Sequence, residues 1–127
     1  MEWYSALNKP AFTPPGWVFG PAWTALYIMM AVAAILVWRR GWHTPGVRLG
    51  LVLFAVQLVL NLSWSPVFFG LHQLGWSVVI ILALLAAIIA TTIVFFRVSA
   101  AAGALFVPYL LWVSFATVLN ITIWRMN

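Results

Sequence analysis

The chain has 127 residues, 66% of them hydrophobic and 6% charged, with a mean hydropathy of +1.12. A soluble chain of this length has too little interior to hide so much apolar surface, so lipid is its main solvent and it is integral to a membrane. The net charge of +5 excludes little by itself, but its placement at the ends of apolar runs argues against nucleic-acid binding, which needs a clustered basic face.

The first stretch, Trp3 to Trp23, is aromatic and stiffened by proline. Pro10, Pro14 and Pro15 fix φ and push the residues before them toward extended geometry, which predicts a shaped loop over 1–17. Pro21 is expected in the first turn of the following helix, where its missing N–H costs nothing. Trp3, Tyr4, Trp17 and Trp23 suit the membrane–water boundary, where a ring with one polar atom is favoured. The loop is expected to act as a lid over one end of a helical bundle.

Four spans follow, each long enough for the roughly 30 Å hydrocarbon core: about 18–38, 48–69, 76–96 and 104–124. They form one transmembrane domain covering 1–127, an all-α integral membrane bundle. The polar turn Arg39–Gly46 closes the first span, and the short connection Gly70–Gly75 makes the second and third antiparallel neighbours. Pro66 lies near the end of the second span, while Pro108 falls early in the fourth or at a kink. Gly46 and Gly50 form a small-xxx-small pair. Counting arginines puts Arg39, Arg40, Arg48 and Arg97 on the cytoplasmic side, and Lys9 and Arg125 on the other.

Helical spacing sorts the side chains into stripes. Trp23, Tyr27, Met30, Ala34 and Trp38 share a face of the first span. Gln57, Asn61, Trp64 and Phe68 do so in the second, and Tyr109, Trp112, Ala116 and Asn120 in the fourth, with Thr117 beside them. Lipid-facing amides are costly, so these three stripes are expected to face one another. The third span offers only Ser77, Thr91 and Thr92, which can bond back to their own helix. It is therefore expected to be peripheral, with Ala83, Ala86, Ala87 and Ala90 permitting close approach. Spacing alone leaves two readings of the stripes open, interhelical packing and a ligand pocket.

Several chemistries are excluded. Glu2 is the only side-chain carboxylate, so a small multidrug exporter lacks the intramembrane acid that ion coupling needs. There is no cysteine, and His43 and His72 fall in connections without a partner set for a metal. No histidine lies within a span to serve as base to a serine, so a hydrolase triad is not expected. Tryptophan is what the sequence has in quantity, and it can stack on a flat ligand or give an electron to one.

Three blocks now carry a resemblance. Trp3-Tyr4…Leu7-Asn8-Lys9-Pro10…Pro14-Pro15-x-Trp17-x-Phe19-Gly20-Pro21-x-Trp23-x3-Tyr27 is the first. Gln57…Asn61…Trp64-Ser65-Pro66-Val67-Phe68-Phe69-Gly70 is the second, and Pro108-Tyr109-Leu110-x-Trp112-x2-Phe115-Ala116-Thr117-x-Leu119-Asn120 the third. Together they resemble the tryptophan-rich sensory protein, or translocator protein, family (TspO/MBR). The resemblance implies a five-helix membrane bundle, commonly a homodimer, that binds porphyrins such as protoporphyrin IX and other flat hydrophobic ligands. It implies a site at Tyr4, Trp23, Tyr27, Asn61, Trp64, Phe68, Trp112 and Ala116. It also links Trp23 and Trp112 to light-dependent porphyrin breakdown, which makes them catalytic only under a photo-oxidative reading.

Two departures from the family pattern stand out. The family places one membrane helix before the Trp-Tyr loop, whereas here only Met1 and Glu2 precede it, so the chain is similar to helices two to five. Leu119–Arg125 lacks the tyrosine of the animal sterol motif, so sterol recognition through it is not expected. The leading expectation is a multi-pass protein of a bacterial cell membrane that receives, senses or translocates a tetrapyrrole. It would require no cofactor and no metal, and would bind no nucleic acid. Trp23 and Trp112 would stack on the ring, Asn61 and Tyr27 would supply polar contacts, and Lys9 would pair with a propionate. A photo-oxidative enzyme and a regulatory membrane scaffold are the alternatives.

Overall fold

Glycine, proline and one serine set the helix boundaries. The computed structural model describes Leu7, residues 16–70 and residues 74–127. These residues form four helices, α1 (Gly16–Trp38), α2 (Val47–Ser65), α3 (Leu74–Val98) and α4 (Ala100–Met126), with a π-helical turn at Pro66–Gly70. Each helix is long and apolar enough to cross a membrane, and no strand occurs among the described residues. Most of the lid loop, with Trp3, Tyr4 and Lys9, lies outside the described residues, as does His72.

α1 begins at Gly16, so Pro21 falls in its second turn and not in its first. The helix closes with tight turns, Arg40 N–H to Val37 O and Gly41 N–H to Trp38 O. Gly41 and Gly46 then adopt φ of 102° and 90°, a region that L side chains occupy only at a cost. The two glycines fold the connection back so that α2 starts at Val47. At the other boundary a single residue separates α3 from α4. Ser99 is extended, and its Oγ accepts the Ala102 N–H at 3.3 Å. This cap starts α4 at Ala100, earlier than the predicted 104, because a serine can satisfy a helix start that apolar neighbours cannot.

α4 packs on α1 and α3, α3 packs on α2, and α1 meets α2 only lightly. The core draws Met30, Ala33 and Val37 from α1, Ile81, Leu84, Ile88 and Phe95 from α3, and Phe106, Tyr109 and Val113 from α4. α3 is therefore not peripheral. About a third of its membrane window is buried (33%), against 22% and 18% for the windows on α1 and α2. Its contact face is Ser77, Ile81, Leu84, Ile88, Thr91 and Phe95, whereas Ala83 and Ala86 are exposed.

Glycines on the neighbouring helices provide the close approach instead. A Cβ at Gly50 would meet Phe95 at 3.1 Å, one at Gly46 would meet Val98 at 3.0 Å, and one at Gly103 would meet Phe96 at 2.3 Å. The small-xxx-small pair at Gly46 and Gly50 thus receives α3. Thr91 and Thr92 do bond to their own helix, at Ala87 O and Ile88 O, each 2.7 Å.

Candidate functional site

Gln57, Asn61, Trp64 and Phe68 repeat every three or four residues, so α2 and its π turn aim all four inward. Gln57, Asn61 and Phe68 are buried and Trp64 partly so. In a low-dielectric interior such amides must find partners. Asn61 finds two. Its Oδ1 accepts from Tyr27 Oη on α1 at 2.5 Å, and its Nδ2 donates to Tyr109 Oη on α4 at 2.8 Å. Tyr109 Oη in turn donates to Gln57 Oε1 at 2.7 Å, and Gln57 Nε2 reaches Met30 Sδ at 3.7 Å. One chain of polar groups therefore ties three helices together.

Against this chain lies an aromatic cluster. Trp23 is 5.7 Å from Tyr27 between ring centroids, and 6.4 Å from both Tyr109 and Trp112. The Trp23–Trp112 pair is edge-to-face at 88°, an arrangement that brings a positive ring edge to a negative ring face. Trp23, Trp112 and Ala116 are each partly buried against the main core. The structure thus brings Trp23, Tyr27, Asn61 and Trp112 together, as the stripes suggest. Trp38 does not join them, being 62% exposed at the far end of α1. The buried line on α1 is Leu26, Met30, Ala33 and Val37, which shares Met30 with the expected stripe and otherwise runs one position before it.

A second polar chain lies toward the π turn. Trp64 Nε1 donates to Asn120 Oδ1 at 2.8 Å, Asn120 Nδ2 donates to Ser77 Oγ at 3.1 Å, and Ser77 Oγ donates to Leu74 O at 2.7 Å. Trp64 stacks on Phe68 at 5.0 Å and 25°. Phe68 packs in a small cluster with Leu119 and Ile123, and Leu7 of the lid loop rests on it. The linking role of Asn120 and Ser77 has no separate signal in sequence; only Asn120's place on the α4 stripe hints at it. Tyr4 lies outside the described residues, and no group of three metal-ligating side chains occurs among the described ones.

The comparisons with known proteins agree with this architecture. The TspO/MBR family model matches residues 1–125. The tryptophan-rich protein TspO of Chlorobaculum tepidum is 48% identical over 98% of this chain and 79% of its own length. The translocator protein of Homo sapiens is 43% identical over 100% of this chain and 76% of its own length. The tryptophan-rich sensory protein of Cereibacter sphaeroides is 41% identical over 99% and 77%. With an all-helical fold of four apolar spans and a family match over nearly its whole length, the chain belongs to the TspO/MBR family.

Proposed function

We propose that this protein binds a flat tetrapyrrole such as protoporphyrin IX, with Trp23 and Trp112 against the ring. The observation that supports this is that the rings of Tyr27, Tyr109 and Trp112 each lie within 6.4 Å of Trp23. Indole and phenol faces offer a large, rigid apolar contact to a planar guest. Asn61 and Tyr27 supply the fixed polar atoms, Ala116 leaves room, and Trp64 with Phe68 forms a wall on which Leu7 packs. The names of the relatives, translocator and sensory protein, suit a protein that receives a ligand in the membrane. The similarity to the Chlorobaculum and Cereibacter proteins favours a bacterial cell membrane.

Titration of the purified protein with protoporphyrin IX, followed by the porphyrin's absorption band, tests the reading. Trp23→Ala with Trp112→Ala should weaken binding by about tenfold or more, roughly 1.4 kcal/mol. Unchanged affinity would assign the cluster to packing.

A second reading is favoured by the edge-to-face contact of two indoles with Tyr109 alongside. Light-excited porphyrin takes one electron from the indole it touches, dioxygen adds to the reduced macrocycle, and the electron returns to the indole radical as a ring carbon–carbon bond opens, so that both oxygen atoms end in the product and the tryptophan is restored. Under illumination in air, porphyrin absorption is then lost with the appearance of a product, whereas a pure receptor leaves the pigment intact.

A further inference from the structure

Far from the aromatic cluster, the bundle carries a second organised surface. Trp38 lies about 22 Å along α1 from Trp23, at 1.5 Å per residue. The connection that follows is built around Arg48. Its Nε donates to Trp42 O at 3.2 Å, its Nη2 meets His43 Nδ1 at 3.0 Å, and its guanidinium lies 5.3 Å from the centre of the Trp42 ring. Thr44 Oγ1 pins the loop from inside by donating to Arg40 O. Arg48 is thereby held over an indole, within the distance of a cation–π contact.

Arg39 and Arg40 immediately precede this loop. Gly46 packs against Val98, which brings Arg97 on α3 to the same end of the bundle. Four arginines therefore gather there, and no described residue carries a carboxylate. A guanidinium has five N–H donors. Arg48 spends two on the loop, and Arg39 and Arg40 make no side-chain hydrogen bond among the described residues. These exposed guanidiniums therefore keep donors free for an acceptor from outside the chain. Exposed Trp38 and Trp42, at 62% and 51%, belong at the level of lipid headgroups.

We propose that this corner is a binding site for the phosphate of an anionic phospholipid. The Arg48 fork, fixed by Trp42 and His43, meets the phosphate, and Arg39 and Arg40 flank it. Commitment to a lipid follows from the position of the site, at the end of an apolar span and beside exposed indoles. The proposal does not depend on what the aromatic cluster binds.

Native mass spectrometry of the full chain in neutral detergent tests it, with phosphatidylglycerol and phosphatidylcholine of matched acyl chains as probes. Phosphatidylglycerol should be retained about tenfold more strongly. Arg48→Gln should reduce that preference about fivefold, as expected for loss of one arginine near an anionic surface, and Arg39→Gln with Arg40→Gln, which removes two, should abolish it. Arg125→Gln, near the opposite end, should leave it unchanged. Arg48→Lys keeps the charge and loses the fork, so it should give an intermediate value.

Equal retention of the two lipids would overturn the proposal. So would an Arg48→Lys protein that behaves as wild type, since diffuse charge would then suffice. Glycerol phosphate competing as well as the lipid would assign the site to a soluble phosphate instead. Should Arg48→Gln fail to fold, the Arg39 and Arg40 pair, whose loop contacts are made by backbone atoms that the substitutions keep, still decides the matter.

Discussion

Asn120 accepts the indole N–H of Trp64 across the interface of α2 and α4 at 2.8 Å. The same amide donates to Ser77 on α3, so one side chain fixes the mutual rotation of three helices. Asn120 is 2% exposed and Ser77 is fully buried, so removing the amide leaves the Ser77 hydroxyl without that partner in an interior closed to water.

Asn120→Ala should therefore destabilise the protein by about 1–2 kcal/mol, the cost of leaving buried donors and acceptors without partners, tempered by the modest worth of such bonds in bilayers. Denaturant unfolding in detergent measures this. Ser77→Ala should cost less, because it leaves the Trp64 bond intact. A fully neutral Asn120→Ala would show that the chain of bonds carries no stability.

Tyr109→Phe and Tyr27→Phe should differ in the same assay. Tyr109 is fully buried and its hydroxyl serves both Asn61 and Gln57. Its loss should cost about 1–3 kcal/mol. Tyr27 is 38% exposed and serves Asn61 alone, so Tyr27→Phe should stay below about 1 kcal/mol. The reverse order would contradict the geometry.

Gly103→Ala should be among the more harmful single-methyl additions. The new Cβ would lie 2.3 Å from the Phe96 ring at Cγ, the fixed root of that side chain, so overpacking should cost about 1–3 kcal/mol. Phe96 is 45% exposed, and its truncation alone should be mild. The double variant Gly103→Ala with Phe96→Ala should therefore recover most of the loss, a coupling that a double-mutant cycle reads directly.

Ala116→Leu tests the ligand reading from the other side. Ala116 is partly buried beside the Trp112 and Tyr109 turn of α4. Added methyl groups there should lower protoporphyrin IX affinity about tenfold, roughly 1.4 kcal/mol. The thermal midpoint without ligand should change little. Unaltered affinity would move the guest away from this face.

How far the sequence could be read depended on chemical contrast. Gln57 and Asn61 stand out in an apolar run, and their helical spacing fixed the inward face of α2 correctly. α1 meets its expected stripe at Met30 and departs from it toward Trp38, an interfacial residue at the helix end that spacing alone places on the inward line. α3 was misjudged for a deeper reason. Lipid-facing Ile, Leu and Val are as apolar as core ones, so periodicity carries no information about which face packs. The true markers were Gly46, Gly50 and Gly103 on the neighbouring helices, and a polar partner for Ser77 that only the fold supplies. The aromatic cluster was legible because its members repeat at helical intervals, whereas the Arg48 loop depends on two positive-φ glycines that spacing cannot place in three dimensions.

The one-residue link at Ser99 bears on how the two helices it joins can tilt. Helices of 25 and 27 residues run in opposite directions with no slack between them. The extended, capped serine holds the end of one helix against the start of the next. A change of tilt in either helix must therefore be met at that end by the other.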